Sequence, residues 1–261
     1  GMGKDFFDTY DLAKKRFAEA DEALGYSISK LCFEGPADQL QLTEHTQPAI
    51  LTVAVIASEL LRAEGIEPEI AAGHSLGEYA ALVAAGVLSF QDAVLLVHKR
   101  GAYMQEAVPV GEGAMAAVIG LDDETIISVC AEASSVGAVQ AVNFNCPGQT
   151  VIAGTAKGVE TAVQHLQEKG AKKAVILPVS APFHSTLMEP AAKKLAAELD
   201  KVELRDAAFP VVSNYTGSLQ RTAAEIKANL IAQADHPVRW IACVNTMRDF
   251  GADTYVECGP G

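Results

Sequence analysis

Pro68-Glu69-Ile70-Ala71-Ala72-Gly73-His74-Ser75-Leu76-Gly77-Glu78 joins a short apolar run to a helix through a Gly-x-Ser-x-Gly turn. Between a strand and a helix, this pentapeptide is the setting of a serine nucleophile. The tight turn calls for small residues on both sides, so that strand and helix approach closely. It lifts the Ser75 hydroxyl to the top of the sheet. It also puts the Leu76 amide at a helix N-terminus, where it can donate to a developing oxyanion. An ordinary glycine-rich loop is the alternative, and the flanking strand and helix argue against it. The next helices are expected over Glu78–Ala85, ended by Gly86, and from Phe90 to Gln105, capped by Ser89. Upstream, residues 4–33 are helical in pattern. A further helix is expected from Gln47 to Glu64, with Pro48 in its first turn and Gly65 after its end.

Gly111 and Gly113 mark a boundary. After them the pattern alternates: strand Ala114–Ile119, helix Asp122–Ala133, strand Ala138–Asn143, a Pro147-Gly148 turn, strand Gln149–Ala153, helix Ala156–Glu168 and strand Lys173–Leu177. The order βαββαβ is ferredoxin-like and predicts a small domain inserted into a larger one. From Ala181 the chain is expected to return to the larger domain. It continues with helix Pro190–Asp200, strand Phe209–Ser213, helices Ala223–Gln233 and Trp240–Phe250, and a last strand Thr254–Glu257. The expected fold class is therefore α/β. An α/β-hydrolase-like large domain with a parallel sheet spans 1–112 and 181–261, and the ferredoxin-like domain spans 113–180.

The formal charge of −13, from 20 Lys+Arg against 33 Asp+Glu, argues against a nucleic-acid or anionic-membrane binder. Hydrophobic residues at 49% with 20% charged residues argue against disorder. No apolar run reaches the ~18 residues of a membrane span. The opening around Lys4 and Asp5 lacks a secretory-signal pattern, and a cytoplasmic location is expected. Five cysteines without a C-x-x-C pair read as reduced thiols. No His/Cys/Asp cluster has ligand spacing and no G-x-G-x-x-G follows a strand, so neither a metal nor another cofactor is expected.

A serine nucleophile needs a base. His74 adjoins Ser75 and reads as packing or shaping the turn. His98 and His165 lie inside helices, and His45 precedes one. His184 and His236 sit in loops beside Pro182 and Pro237. His184 is preferred, because Ser180-Ala181-Pro182-Phe183-His184-Ser185 leaves the small domain where a loop can reach back over the turn.

The chain resembles the malonyl-CoA:acyl-carrier-protein transacylases and the acyltransferase domains of polyketide and fatty-acid synthases. Gly73-His74-Ser75-Leu76-Gly77-Glu78 is similar to their GHSxGE, and Pro182-Phe183-His184-Ser185 to their histidine loop. Lys99-Arg100-Gly101 resembles their arginine site, and Asn143-Phe144-Asn145-Cys146-Pro147-Gly148-Gln149 their NxNxPGQ stretch. Gln233 through Trp240 is similar to Q-x-x-x-PVxW, and Glu257-Cys258-Gly259-Pro260-Gly261 to an E-x-GPG end. The match runs along essentially the whole chain.

The resemblance implies that Ser75 attacks a malonyl thioester while His184 moves the proton. It implies that the Gln233 region, a neutral group, orients His184. Arg100 would grip the malonyl carboxylate through two parallel hydrogen bonds; a solvated helix-end arginine is the alternative. Phe183 would crowd an α-methyl branch. Met104, one turn past Arg100, lines the same pocket or is a plain core methionine. Asn143 and Asn145 face the substrate across the cleft, with turn chemistry as the alternative for Asn145. The implied partners are malonyl-CoA and acyl carrier protein, with the enzyme a monomer. Because such carriers are acidic too, docking calls for a basic patch: Lys172, Lys173, Lys193 and Lys194 are the candidates.

The family's opening strand, its Gly-Gln-Gly-x-Gln turn and its C-terminal tail have no counterpart in the sequence, which begins at residues similar to those just after that turn. One oxyanion donor and one central strand are therefore expected to be missing from this stretch, which is either a region of a longer chain or one with an unusual start. Within enzymes the rival is a serine esterase or thioesterase, with Asp122 or Asp123 as the triad acid. Helix capping accounts for both aspartates. Glu78 invites a catalytic role, but its place at a helix start points to complementing the helix dipole or to a turn contact.

Overall fold

The computed structural model describes residues 2–179 and 181–260. Gly1, Ser180 and Gly261, at the outer limits of the expected domains and motifs, lie outside the described residues. The architecture is mixed α/β. Over residues 4–33 three helices form: α1 (Lys4–Thr9), α2 (Asp11–Leu24) and α3 (Ile28–Glu34). Tyr10 is extended between the first two, and Gly25 ends α2 at φ 73°. Phe17 of α2 packs on Phe7 and Phe33, with ring centroids 5.9 and 4.9 Å apart.

A short α4 (Ala37–Leu40) leads into α5 (Thr43–Ala63), followed by α6 (Leu76–Ala84) and α7 (Phe90–Glu106). Ser89 caps α7, its hydroxyl accepting from the Asp92 N–H at 3.1 Å. The α5 helix starts one turn before the expected Gln47, so Pro48 lies inside it. A proline has no N–H for the carbonyl four residues back, here Glu44. His98 of α7 fills that place, with Nδ1 2.9 Å from the Glu44 oxygen. The histidine assigned no part by sequence thus completes the α5 hydrogen bonding. Close approach of the two helices also depends on Gly101, where a Cβ would sit 2.5 Å from the Thr43 oxygen. Buried Leu51, Ile56, Leu82 and Val97 fill the core around α5. Full burial of such a side chain is worth about 1.5–3 kcal/mol.

The middle of the chain builds β1 (Gly113–Ile119), α8 (Asp123–Ala133), β2 (Val139–Cys146), β3 (Gln149–Thr155), α9 (Ala156–Glu168) and β4 (Lys173–Ile176). The strands form one antiparallel sheet in the order β2-β3-β1-β4. Ile126, Ile152, Val159 and Leu166 form its own core. Asp122 caps α8 by accepting from the Thr125 N–H at 2.8 Å, and Asp123 accepts from the Thr150 hydroxyl. Both aspartates are thereby engaged away from His184.

The remaining elements are a 3₁₀ turn (Thr186–Met188), α10 (Glu189–Leu199), β5 (Val211–Val212), β6 (Leu219–Gln220), α11 (Ala223–Asp235) and α12 (Trp240–Phe250). Three expected strands are corrected here. Phe209–Ser213 is reduced to the two residues of β5. The run before the Ser75 turn pairs only at Ala71, in a parallel bridge to Val211. Residues 254–257 form no strand. Pro68 and Pro210 lack the N–H that would lengthen the ladder. Tyr255 and Val256 stand exposed with no strand partner among the described residues. The expected parallel sheet therefore amounts, among the described residues of this part of the chain, to the Ala71–Val211 bridge. The second parallel bridge, Asn143 to Val238, ties the four-stranded sheet to the loop before α12. No helix among the described residues is long and apolar enough to cross a membrane.

Candidate active site

Ser75 lies between the Ala71 bridge and the first residue of α6, with φ 53° and ψ −104°. A non-glycine residue there costs on the order of 1–3 kcal/mol and persists only when its surroundings hold it. Gly73 makes the turn possible, because a Cβ on it would sit 2.0 Å from the Gly77 carbonyl. At Gly77 a Cβ would meet nothing within 4 Å, so the steric demand falls on one of the two glycines. Asn214 brackets the turn: its Oδ1 accepts from the Ser75 N–H at 2.6 Å, and its Nδ2 donates to the Gly73 carbonyl at 2.8 Å. Gln233 Nε2 donates to the Ser75 carbonyl at 3.0 Å.

His184 reaches this turn from the loop after β4, and its Nε2 is 2.7 Å from Ser75 Oγ. Its own backbone sits at φ 61°. Its Nδ1 is 2.8 Å from the backbone oxygen of Gln233. A carbonyl only accepts, so Nδ1 carries the proton and Nε2 is free to receive one. The partner behind the histidine is thus neutral, and no carboxylate stands there.

Arg100 projects from α7 and is buried. It donates from one terminal nitrogen to Gln47 Oε1 at 2.7 Å, and from the other to Ser75 Oγ and Gln233 Oε1, each at 2.9 Å. Ser75 Oγ therefore accepts from a guanidinium while its own proton faces His184. Burial, and after it the Arg100 charge, lowers the His184 pKa to about 3. The imidazole is neutral at physiological pH and able to act as a base. In the unfolded chain its pKa is about 6.5. Stability from keeping it neutral is thus complete above that value and falls as the pH drops from about 6.5 toward 3. Nitrogen-15 spectra of the ring are expected to keep the pattern of the neutral Nδ1–H tautomer down to pH 5. A change centred between pH 6 and 7 would contradict this geometry.

Ser75, His184, Arg100 and Gln233 thus converge. Leu76, the first residue of α6, presents an N–H with no carbonyl inside the helix to receive it. Met104 is buried with Val108, Met188 and Ala191, and Phe183 packs on the same cluster. Phe183 also touches the cluster of Met115, Val142 and Val151 under the four-stranded sheet. Asn143 is buried on β2, at the bridge to Val238. Asn145 contacts His74 instead of Ser75, with Oδ1 2.9 Å from the imidazole Nε2. The His74 ring in turn lies 5.5 Å from that of Trp240. The elbow is thereby pinned to the four-stranded sheet and to α12.

Sequence reasoning missed Gln47, Asn214 and Gln220; of the two readings of Glu78, the contact to the turn is the one formed, through Asn214. Glu78 is fully buried in the first turn of α6. Its Oε2 accepts from the Asn214 N–H at 3.0 Å and from Gln233 Nε2 at 2.8 Å, and its Oε1 from Gln220 Nε2 at 2.7 Å. These residues stand on separate segments, and nothing in their spacing signals that they meet.

The comparisons with known proteins agree along the whole chain. Residues 1–260 match the model of the acyl transferase domain. The malonyl CoA-acyl carrier protein transacylase of Bacillus subtilis (strain 168) is 50% identical over 262 residues, covering 100% of this chain and 83% of that protein. The solved structure of the transacylase of that name from Coxiella burnetii superposes with a TM-score of 0.98 at 42% identity, over 100% of this chain and 83% of that one. A malonyl-transacylase solved in complex with its type II PKS acyl-carrier protein matches at a TM-score of 0.97 and 44% identity, over 100% of this chain and 85% of that one. With a serine–histidine pair at its turn and this likeness end to end, the chain belongs to the acyl transferase domain family.

Proposed function

We propose that this chain transfers a malonyl group from malonyl-CoA to the phosphopantetheine thiol of acyl carrier protein, supplying fatty-acid synthesis in the cytoplasm as a monomer. The observation that carries this is the Arg100 guanidinium 2.9 Å from the Ser75 hydroxyl, inside a buried site with a neutral histidine base. Ser75 Oγ attacks the thioester carbon as His184 Nε2 takes its proton. The Leu76 N–H meets the developing oxyanion. The thioester C–S bond then breaks, and His184 returns the proton to the departing CoA thiolate. The second half runs in reverse: the carrier thiol gives its proton to His184, attacks the malonyl ester, and Ser75 Oγ leaves reprotonated. Throughout, Arg100 pairs with the free carboxylate, an interaction that acetyl groups cannot make.

In this reading the four-stranded sheet with α8 and α9 is a ferredoxin-like domain over 113–180. It is inserted into an α/β-hydrolase-like domain of 1–112 and 181–261. Met104 and Phe183 bound the acyl pocket, with Asn143 at its sheet side. The carrier docks by its acidic surface near Lys172, Lys173, Lys193 and Lys194. Lys193 and Lys194 are paired with Glu189 and Glu106 at 2.7 and 2.8 Å, on an exposed surface. Such pairs are worth little and can be exchanged for carboxylates of the carrier.

The test is acylation without carrier. Protein mixed with malonyl-CoA is expected to gain the mass of one malonyl group, on the peptide holding Ser75, and to lose it on addition of carrier thiol. Release of free malonate faster than transfer to the thiol would assign the site to a hydrolase.

A further inference from the structure

Among the described residues, Glu78 is the buried carboxyl group and Arg100 the buried guanidinium. The side-chain amide of Gln233 stands between them. Arg100 donates to its Oε1 at 2.9 Å, and its Nε2 donates to Glu78 Oε2 at 2.8 Å. The same Nε2 donates to the Ser75 carbonyl. Turning the amide over would set its NH₂ against a guanidinium and its oxygen against a carboxylate and a carbonyl. Gln233 is thus locked in one orientation by opposite charges at its two ends.

Glu78 itself faces only donors: the Asn214 N–H, Gln233 Nε2 and Gln220 Nε2. A protonated carboxyl group needs an acceptor for its O–H, and none of these three offers one. Burial pushes the Glu78 pKa up, while these donors and Arg100 pull against it. Gln220 is held in turn, its Oε1 accepting from Asn229 Nδ2 at 2.8 Å. The donor set matches an anion. An arginine buried this deeply needs compensation, or it costs far more than it contributes.

We propose that Glu78 is a positioning residue for substrate selection. Its charge, relayed by the Gln233 amide, holds the Arg100 guanidinium where it meets the carboxylate of the incoming acyl group. This rests on the malonyl-transfer reading above. The rival role for Glu78 is support of the turn through Asn214 alone. The two roles differ in what they do to substrates. Loss of turn support slows attack on every acyl thioester alike, whereas loss of the relay falls chiefly on those that carry a carboxylate.

The experiment compares malonyl-CoA with acetyl-CoA, using one acceptor thiol, in the wild-type chain, Glu78→Gln and the double variant Glu78→Gln/Gln220→Glu. The double variant moves the carboxylate one hydrogen bond further from Gln233. Donors and acceptors stay matched, since the new amide at 78 accepts from Asn214 and Gln233 and donates toward 220. In Glu78→Gln the malonyl kcat/KM is expected to fall about 10- to 100-fold, chiefly through KM, and the malonyl-to-acetyl ratio to fall with it, acetyl transfer losing by a factor several-fold smaller. The double variant is expected to recover most of the malonyl-to-acetyl ratio. Equal losses for both thioesters, or an unchanged ratio in Glu78→Gln, would overturn the proposal. If the single variant does not fold, the double variant decides, and a ratio as low as that of Arg100→Ala counts against the relay. A wild-type chain that transfers no malonyl group would overturn the functional reading instead, before any variant is compared.

Discussion

Ser75→Ala is expected to abolish the acyl-enzyme and to lower kcat by on the order of 10⁴-fold or more. In the proposed mechanism the hydroxyl 2.7 Å from His184 Nε2 becomes the ester, and alanine leaves His184 with no proton to take. Residues acting as one unit are not additive. Ser75→Ala combined with His184→Ala should therefore be little worse than Ser75→Ala alone. Rapid-quench measurement of malonyl-enzyme, paired with steady-state transfer to carrier, checks both statements. A double variant losing the product of the two single effects would mean that serine and histidine act separately.

Arg100→Ala is expected to cut the malonyl-CoA kcat/KM by about 10²–10³-fold, because a desolvated charge pair truncated on one side costs about 2–5 kcal/mol. Acetyl transfer should be spared or raised, since the guanidinium no longer donates to the Ser75 Oγ lone pairs. Stability should fall as well. Breaking a buried charge arrangement costs about 3–5 kcal/mol, and here it leaves Glu78 without its counter-charge. Thermal melting reads that loss separately from selectivity. Arg100→Lys keeps the charge but not the fork of donors, so it should be intermediate in both. Equal loss for malonyl and acetyl donors would remove the carboxylate from the role of Arg100.

Much of this site was legible one residue at a time. Ser75 stands out because a turn this tight needs glycine close by, and a Cβ on Gly73 would clash with the Gly77 carbonyl at 2.0 Å. The elements of the four-stranded sheet were legible because turns, caps and apolar periods are local. Helix α9 runs over the residues expected, and Asp122 caps α8. The expected strands around the elbow were not, because a strand is defined by its neighbour. Ala71 and Val211 pair across distant parts of the chain, and prolines limit how far that pairing runs.

The sequence by itself determined which residues can do chemistry: a serine at a turn, a histidine beside a proline, an arginine on the following helix. Tertiary structure alone decided their partners. It turned Asn145 toward His74, set His98 on the carbonyl that Pro48 leaves open, and placed the Gln233 amide between Arg100 and Glu78. Motifs record what the backbone requires nearby, so they can be read along the chain. A buried polar group takes whichever partner packing brings within about 3 Å. For Glu78, Asn214, Gln220 and Gln233, those partners lie on segments brought together only by folding.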